Sequence, residues 1–359
     1  MIIHKYPAVM ALALCAFVVP ALGGPQGATA HGAGTFPSFI TFDAPPEGVA
    51  VDKVGNVYAS VTTATGSDQI WKFSPSGEKS VLVDLGAPGY AAGLAVDAVG
   101  NVYMARVVVP GHGVYRVSPD GDAALLPGTE QIVGADALAF DQRGTLYVTE
   151  IFSGDLSTQQ FGQGGIWRVP RRGSAELWLR HDLLTGLAPA LFPFPVGANG
   201  IAFYLGNLYV INTDKALVVR VPVLPDGSPG QPEVWKQVQD VPESFLYQSP
   251  YFPLMLDGLA LDVHGNVYIA VPSRNAVIRI NAADRSQETV AVLPVLPPPN
   301  DAPQALLDAP LSLAFGTGTG ERQNLFITDS GMLGAFLPGT WPGPGVVKIE
   351  IGIPGLPLP

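Results

Sequence analysis

A short phrase returns six times in this sequence, and the residue at its head varies between oxygen-bearing and apolar types. The phrase is close to Gly-Leu-Ala-x-Asp, followed by a turn and then Gly-Asn-Val-Tyr. The six residues at this place, here called the head residues, are Glu47, Ala92, Asp136, Asn199, Asp257 and Leu311. Because two of them are apolar, the repeat itself does not require a polar side chain at its head. The four polar head residues therefore indicate chemistry.

The polar head residues are oxygen donors of the kind that bind hard cations. Three carboxylates and one amide oxygen suit a divalent metal cation, most naturally Ca²⁺. Without a cation, three crowded carboxylates would repel one another, and their pKa values would rise. We therefore predict a metal site formed by Glu47, Asp136, Asn199 and Asp257. The alternative is that these are ordinary polar residues at solvated strand starts.

The regular part of the phrase predicts the scaffold. An apolar run, a tight Asp/Gly turn and a second run ending in Tyr are typical of a β-hairpin, with the turn Asp and Asn in a structural role. A third strand follows each hairpin, and a fourth follows in five copies, while segment 38–42 can supply the missing strand of the sixth. This pattern predicts an all-β protein, a six-bladed β-propeller of four-stranded blades closed by an N-terminal strand.

The first strand of each propeller blade lines a central tunnel, so the head residues should converge at one mouth of it. The second strands run back to the same face, and their ends carry Glu150, Asn212 and Asp329. His112 lies in a loop on this face. We consider all four as candidate substrate contacts, and His112 also as a candidate base. The alternative for the three strand-end residues is a structural role in turns.

Three apolar, proline-rich stretches lengthen the repeat, at 187–195, 245–253 and 296–299. They precede the head residues Asn199, Asp257 and Leu311, which places them on the mouth face. As a lid they would give the pocket apolar walls and favour an apolar lactone or ester as substrate. Alternatively, they pack on one another and cap the ring.

Composition limits the classes of partner. Of 359 residues, 47% are hydrophobic and 14% are charged, which is ample for a large core. The formal net charge of -11 argues against nucleic acid and against anionic lipid. A small-molecule substrate remains the expected partner.

The N-terminus resembles a targeting segment. An apolar run over 8–22 is followed by Ala28-Thr29-Ala30, which fits cleavage before His31. We predict a signal peptide over 1–30, export to the periplasm or the medium, and a single propeller domain over 31–359 with no membrane association after cleavage. The alternative is a membrane anchor. The only cysteine, Cys15, lies in this segment, so the mature chain would have neither a disulfide nor a catalytic thiol.

These motifs resemble those of the SMP-30/gluconolactonase/LRE-like family, six-bladed propellers related to diisopropylfluorophosphatase and paraoxonase. The segments that begin at Glu47, Asn199 and Asp257 match the family's metal-binding motifs, whereas Asp136 stands where the family has Asn. The resemblance implies a metal-dependent hydrolase that opens a lactone or a similar ester. It also implies that Asp257 is catalytic, as a general base or as a nucleophile.

Two other functions are compatible with the repeat. One is a non-catalytic propeller of the NHL type that binds a ligand or a protein. The other is a related propeller enzyme of the strictosidine-synthase-like or lyase type. The combination of Glu47, Asn199 and Asp257 favours the metal-dependent hydrolase, because a binding scaffold has no need for it.

Overall fold

A computed structural model describes residues 39–86, 88–107, 111–155, 158, 160–187, 194–244, 246–249, 252–292, 307–331 and 344–358. The predicted signal peptide and much of the three apolar stretches lie outside these residues. Within the described ranges, no helix is long and apolar enough to cross a membrane.

The described chain forms six antiparallel four-stranded sheets, the blades, and the first strand of the chain belongs to the last blade. That strand is β1 (Phe39–Thr41). Blade 1 contains β2 (Pro46–Val51), β3 (Val57–Thr62), β4 (Asp68–Phe73) and β5 (Lys79–Asp84). Blade 2 contains β6 (Ala91–Val96), β7 (Val102–Arg106), β8 (Gly113–Val117) and β9 (Ala123–Leu125). Blade 3 contains β10 (Ala135–Phe140), β11 (Leu146–Glu150), β14 (Gly165–Val169) and β15 (Glu176–Arg180).

The second half of the ring has the same organisation. Blade 4 contains β16 (Ala198–Tyr204), β17 (Asn207–Asn212), β18 (Leu217–Pro222) and β19 (Glu233–Gln237). Blade 5 contains β20 (Leu259–Leu261), β21 (Val267–Val271), β22 (Ala276–Ile280) and β23 (Gln287–Val292). Blade 6 contains β24 (Pro310–Phe315), β25 (Asn324–Asp329), β26 (Gly345–Glu350) and β1. A separate hairpin, β12 (Ser153–Asp155) and β13 (Gln160–Gly162), rises from blade 3.

Closure of the ring by the N-terminal strand is confirmed. Strand β1 pairs antiparallel with β26, with Phe39 opposite Val347 and Thr41 opposite Gly345. Blade 6 therefore combines the two ends of the described chain, and the all-β six-bladed propeller predicted from the repeat is correct.

The turn residues of the repeat have the structural role that the sequence predicts. Asp52 Oδ1 accepts hydrogen bonds from the backbone amides of Val54 and Asn56, at 3.0 and 2.9 Å. Its Oδ2 accepts from the Asn56 side chain and from the Tyr58 hydroxyl, at 2.6 and 3.0 Å. Asp97 and Asp262 repeat this arrangement in blades 2 and 5. The Asp therefore ties the turn to the second strand of its blade.

The core lies mainly between neighbouring blades. The cluster between blades 4 and 5, for example, contains Ile211, Val218, Trp235, Ile269 and Ile278, all fully or almost fully buried. Burial at about 25 cal/mol per Å² of apolar surface makes such clusters the main favourable term in folding. Each blade is consequently held by both of its neighbours.

At the axis, the residue after each head residue is small. These six residues are Gly48, Gly93, Ala137, Gly200, Gly258 and Ser312. A Cβ added to Gly48 would lie 2.7 Å from the backbone oxygen of Ala92, and one added to Gly200 would lie 2.5 Å from the backbone oxygen of Asp257. The first strand of each blade is here called its inner strand. The inner strand of one blade thus lies against the head residue of the next blade.

Replacement of Gly48 by alanine is expected to destabilise the ring. The new Cβ would overlap backbone atoms of Ala92 and Leu94 that cannot move without shifting blade 2. We expect a loss on the order of 1–3 kcal/mol in the free energy of unfolding, as for other overpacked sites. Denaturant unfolding followed by circular dichroism measures it.

Ala137 provides the matched control, because it occupies the equivalent place in blade 3 and already carries a Cβ. Ala137→Gly is expected to cost only about 0.5–1 kcal/mol, the usual effect of a glycine in a strand. Equal stability of Gly48→Ala and the wild-type protein would contradict the close approach of the inner strands.

Candidate metal centre

A small internal cavity marks the axis of the ring. Its volume is about 60 Å³, and residues from all six inner strands line it, at the first or second place after the head residue. Because equivalent residues of six strands surround one cavity, the head residues form the adjacent layer around the axis. The cavity holds at most a few water molecules and is much smaller than the ~300 Å³ of a small-molecule pocket. This cavity is therefore too small to enclose a molecule of that size.

A β-bulge directs each head residue in five blades. In blade 1, Pro46 pairs with Val61 and Val49 pairs with Ala59, so Glu47 and Gly48 both lie opposite a single residue of β3. The same register shift occurs in blades 2, 3, 4 and 6. Bulges twist a strand and change the direction of a side chain, and they are common beside functional sites. The sequence prediction did not include these bulges.

The three carboxyl head residues share one electrostatic environment. Burial raises the pKa of Asp136 to about 7. Burial and the charge of Asp136 raise the pKa of Glu47 to about 8, although a hydrogen bond from Tyr90 opposes this. Burial and the charges of Glu47 and Asp136 raise the pKa of Asp257 well above its usual value. The fold thus brings Glu47, Asp136 and Asp257 close enough to destabilise one another's charges.

Hydrogen bonds hold two of the four polar head residues. The Tyr90 hydroxyl donates to Glu47 Oε2 at 3.1 Å, and the Asn199 side-chain nitrogen donates to the Thr213 hydroxyl at 3.1 Å. Neither Tyr90 nor Thr213 is among the site residues predicted from the sequence. Tyr90 lies two residues before the apolar head residue of blade 2, and Thr213 directly follows β17, so both lie just outside the repeated phrase.

The donor set fits a hard divalent cation in its chemistry. The Asp136 side chain is 5% exposed, and within the described chain no hydrogen bond to its carboxyl group compensates for that burial. A cation would neutralise the repulsion among the three acids, with Asn199 Oδ1 as a fourth oxygen donor. Among the described residues, however, no three His, Cys, Asp or Glu side chains stand close enough together to enclose an ion. The ligand set therefore remains a prediction.

His112 lies apart from the carboxyl head residues. Burial lowers the pKa of His112, whereas a hydrogen bond to the Glu130 backbone and the charge of Glu130 oppose this. Its Nδ1 is buried without a hydrogen-bond partner among the described residues. The neighbouring Gly111 carbonyl accepts a weak hydrogen bond from Arg106 at 3.5 Å. Nothing in these contacts connects His112 with the candidate metal centre.

The strand-end residues anchor the segments that lead into the inner strands. The buried Glu150 carboxylate accepts hydrogen bonds from the Val133 amide at 3.2 Å and the Trp167 side chain at 2.9 Å, and it forms an ion pair with Arg180 at 2.7 Å. Asn212 donates from its side chain to the backbone oxygens of Leu183 and Thr185, each at 2.9 Å.

Asp329 has the same function in blade 6, where both of its carboxylate oxygens accept from the Asp308 amide at 2.9 and 2.8 Å. Burial and the charge of Asp308 raise the pKa of Asp329 well above its usual value. These contacts favour the structural alternative for Glu150, Asn212 and Asp329 over substrate binding.

An aromatic cluster stands beside the mouth between blades 3 and 4. The ring centroids of Phe152 and Phe194 are 5.0 Å apart, and Phe161 of the β12–β13 hairpin lies 5.0 and 6.0 Å from them. Phe152 and Phe194 are buried, whereas Phe161 is half-buried. Phe194 belongs to the apolar stretch before Asn199, so this described part of the stretch packs on the ring.

The raised pKa values predict how the metal-free protein responds to pH. In the folded state the pKa values of Glu47 and Asp136 are about 8 and 7, whereas the ordinary pKa values of these side chains are 4.5 and 3.8. The folded state binds more protons in this interval, so stability is expected to fall as the pH rises from 5 to 8. The expected loss is on the order of 3 kcal/mol, seen as a decreasing Tm in the presence of a chelator.

Asp136→Asn is the matched variant, because it removes one charge and leaves the volume of the side chain nearly unchanged. Its Tm should depend less on pH, and Ca²⁺ should raise the wild-type Tm most at pH 8. A wild-type Tm that is constant or rises between pH 5 and 8 without metal would contradict the shared carboxyl environment.

Comparisons with known proteins reveal relatives in structure only. No protein-family model matches the sequence, and no curated protein does. A candidate gluconolactonase matches with a TM-score of 0.61 and 18% identity, over 88% of this chain and 91% of its own. A luciferin-regenerating enzyme matches with a TM-score of 0.58 and 15% identity, over 90% of this chain and 94% of its own. A regucalcin from Agrobacterium tumefaciens, a calcium-binding protein, matches with a TM-score of 0.59 and 18% identity, over 89% of this chain and 95% of its own. These likenesses confirm the six-bladed fold and the resemblance to SMP-30/gluconolactonase/LRE-like proteins at the level of the fold.

Proposed function

We propose that this protein is a metal-dependent hydrolase that opens a lactone or a similar ester at the mouth of the tunnel. The observation that carries the proposal is the presence of three carboxyl groups at equivalent places in blades 1, 3 and 5, where the charge of Asp136 acts on Glu47 and the charges of both act on Asp257. A fold gains no stability from such an arrangement, so it is better explained by a cation that neutralises it. The structural likeness to a calcium-binding regucalcin and a candidate gluconolactonase supports the same function.

The residues that would hold the cation are Glu47, Asp136, Asn199 and Asp257. When bound, a divalent cation would polarise the substrate carbonyl and stabilise the negative charge that develops on its oxygen. Asp136 replaces the Asn that the family resemblance leads us to expect, so the site carries three potential negative charges. A higher affinity for the cation is the expected consequence.

Asp257 would perform the proton transfer. As a general base, its carboxylate takes a proton from water while the water oxygen forms a bond to the carbonyl carbon. The ring C–O bond then breaks, and the proton passes to the departing alkoxide. As a nucleophile, Asp257 would instead form the bond to carbon itself while the ring C–O bond breaks, and water would then cleave the resulting mixed anhydride at the Asp257 carboxyl carbon. Single turnover in ¹⁸O-labelled water distinguishes the two, because a nucleophilic Asp257 would give its own oxygen to the first product.

The substrate is proposed to carry an apolar substituent. The half-buried Phe161 extends from the β12–β13 hairpin and packs on Phe152 and Phe194, close to the segment that leads to Asn199. An aromatic surface of this kind favours an alkyl chain over a polyhydroxylated ring. Alkyl-substituted lactones are therefore expected to react faster than sugar lactones.

The function is tested by metal content and by hydrolysis of a lactone panel with and without chelator. We expect bound Ca²⁺ and chelator-sensitive hydrolysis in the wild-type protein. Asp257→Asn keeps a ligating oxygen but cannot accept a proton, so metal should stay bound while the rate falls by about 10²-fold or more. Asp120→Asn, at an exposed acid in the turn before β9, is the control and should leave both properties unchanged.

A wild-type protein that binds no divalent ion would remove the basis of the proposal. Unchanged hydrolysis in Asp257→Asn would exclude the role of that residue. Metal binding without hydrolysis of any substrate in the panel would instead favour the binding scaffold.

Export is a further part of the proposed function. The segment 1–30 has the apolar run and the small-residue end of a signal peptide. N-terminal sequencing of the protein from the periplasm or the medium is expected to begin at His31. An intact N-terminus in a membrane fraction would favour the anchor instead.

A further inference from the structure

Thr213 connects two of the proposed ligands across a blade boundary. It directly follows β17 in blade 4 and is 3% exposed. Its hydroxyl accepts a hydrogen bond from Asn199 Nδ2 at 3.1 Å and donates one to the Leu256 backbone oxygen at 2.7 Å. Leu256 directly precedes Asp257, the head residue of blade 5. One hydroxyl group thus contacts the side chain of one proposed ligand and the backbone beside another.

The direction of these hydrogen bonds determines the orientation of the Asn199 amide. A threonine hydroxyl has a single proton, and here the Leu256 carbonyl, which can only accept, takes it. The hydroxyl oxygen must then accept from Asn199, which requires the NH₂ group to face Thr213. A flipped amide would place two acceptors against each other without a proton between them. Asn199 Oδ1 is therefore held on the side away from Thr213, free to act as a ligand.

The backbone around Thr213 is itself well fixed. Its amide donates to the Gly197 oxygen at 3.2 Å, and its carbonyl accepts from the Ala216 amide at 3.2 Å. On the far side, the Asp257 amide donates to the Ala270 oxygen at 3.0 Å. The Thr213 hydroxyl thus links two fixed segments and sets the spacing between Asn199 and Asp257.

Other buried hydroxyl groups of the inner ring serve a different purpose. Ser60 accepts from the Gly48 amide at 2.8 Å and donates to the Ala92 oxygen at 2.6 Å. Thr328 accepts from the Ser312 amide at 2.8 Å and donates to the Glu47 oxygen at 2.6 Å. Both connect backbone to backbone between blades. Within the described chain, Thr213 differs from them in binding the side chain of a head residue.

We propose that Thr213 is a positioning residue that presents the Asn199 amide oxygen to the cation and fixes the spacing between Asn199 and Asp257. The inference rests on the metal-dependent function proposed above. It assigns no contact between Thr213 and the cation or the substrate.

Calcium titration of the metal-free protein by calorimetry tests this inference. Loss of a group that orients a metal ligand typically weakens metal affinity 10–100-fold, and we expect about a tenfold or greater increase in Kd for Thr213→Val. Thr213→Ser keeps the hydroxyl and should restore the wild-type Kd. Thr129→Val is the control, because Thr129 is fully buried and its hydroxyl accepts from Val114 and donates to Leu126, far from any head residue.

The thermal stability of the metal-free variants separates positioning from packing. Both valine variants should lower the Tm, since each leaves buried polar groups without partners. Only Thr213→Val should also change the Kd. A lower Tm with an unchanged Kd would overturn the inference and leave the proposed function intact, whereas a wild-type protein without Ca²⁺ affinity would overturn both.

A second measurement does not depend on the folding of Thr213→Val. The side-chain amide protons of Asn199 can be assigned in ¹⁵N spectra by their loss in Asn199→Asp. The proton that faces Thr213 is expected to exchange slowly with solvent in the metal-free wild-type protein. Exchange of both protons at the rate of a free amide would contradict the hydrogen bond and with it the inference.

Discussion

The close approach of the six inner strands is the constraint on which the rest of the structure depends. Glycines such as Gly48 and Gly200 bring the backbone of one blade against the head residue of the next. At these glycines, a larger residue would overlap the backbone of the neighbouring blade and push the head residues apart. Hydroxyl groups such as those of Ser60 and Thr328 then fix the approach by joining neighbouring backbones. The geometry of the site is therefore a property of the entire ring and not of one loop.

The same constraint explains why the site opposes the stability of the fold. Asp136 is buried and Glu47 and Asp257 are half-buried in one layer, which destabilises their charged forms, and the packed inner strands keep them from separating. Proteins commonly accept such local cost at functional sites, where the surrounding structure supplies the stability. Here the apolar clusters between blades supply it.

The sequence predicted the scaffold well because its signals are local. The Asp that binds its own turn, as at Asp52, and the apolar strands around it repeat within a few residues, so one copy explains the others. The partners of the head residues could not be predicted, because Tyr90 lies 43 residues from Glu47 in the sequence, and Thr213, 14 residues after Asn199, meets it only once β16 and β17 are paired. The bulges were missed for a related reason, since the register is visible only once two strands are paired. Glu150 is a third case: its partners Trp167 and Arg180 lie on other strands, and without them its carboxylate resembled a substrate ligand.

The pairing of β1 with β26 has a consequence for the biosynthesis of the site. Strand β1 can find its partner only after β26 has been made, and the hydrogen bond from Thr328 to Glu47 joins residues 281 positions apart. Blade 1, which carries Glu47, therefore lacks one of its two neighbours until the C-terminal strands are in place. A chain that stops before β26 cannot close the ring, so the layer of head residues forms only after almost all of the described chain has been made.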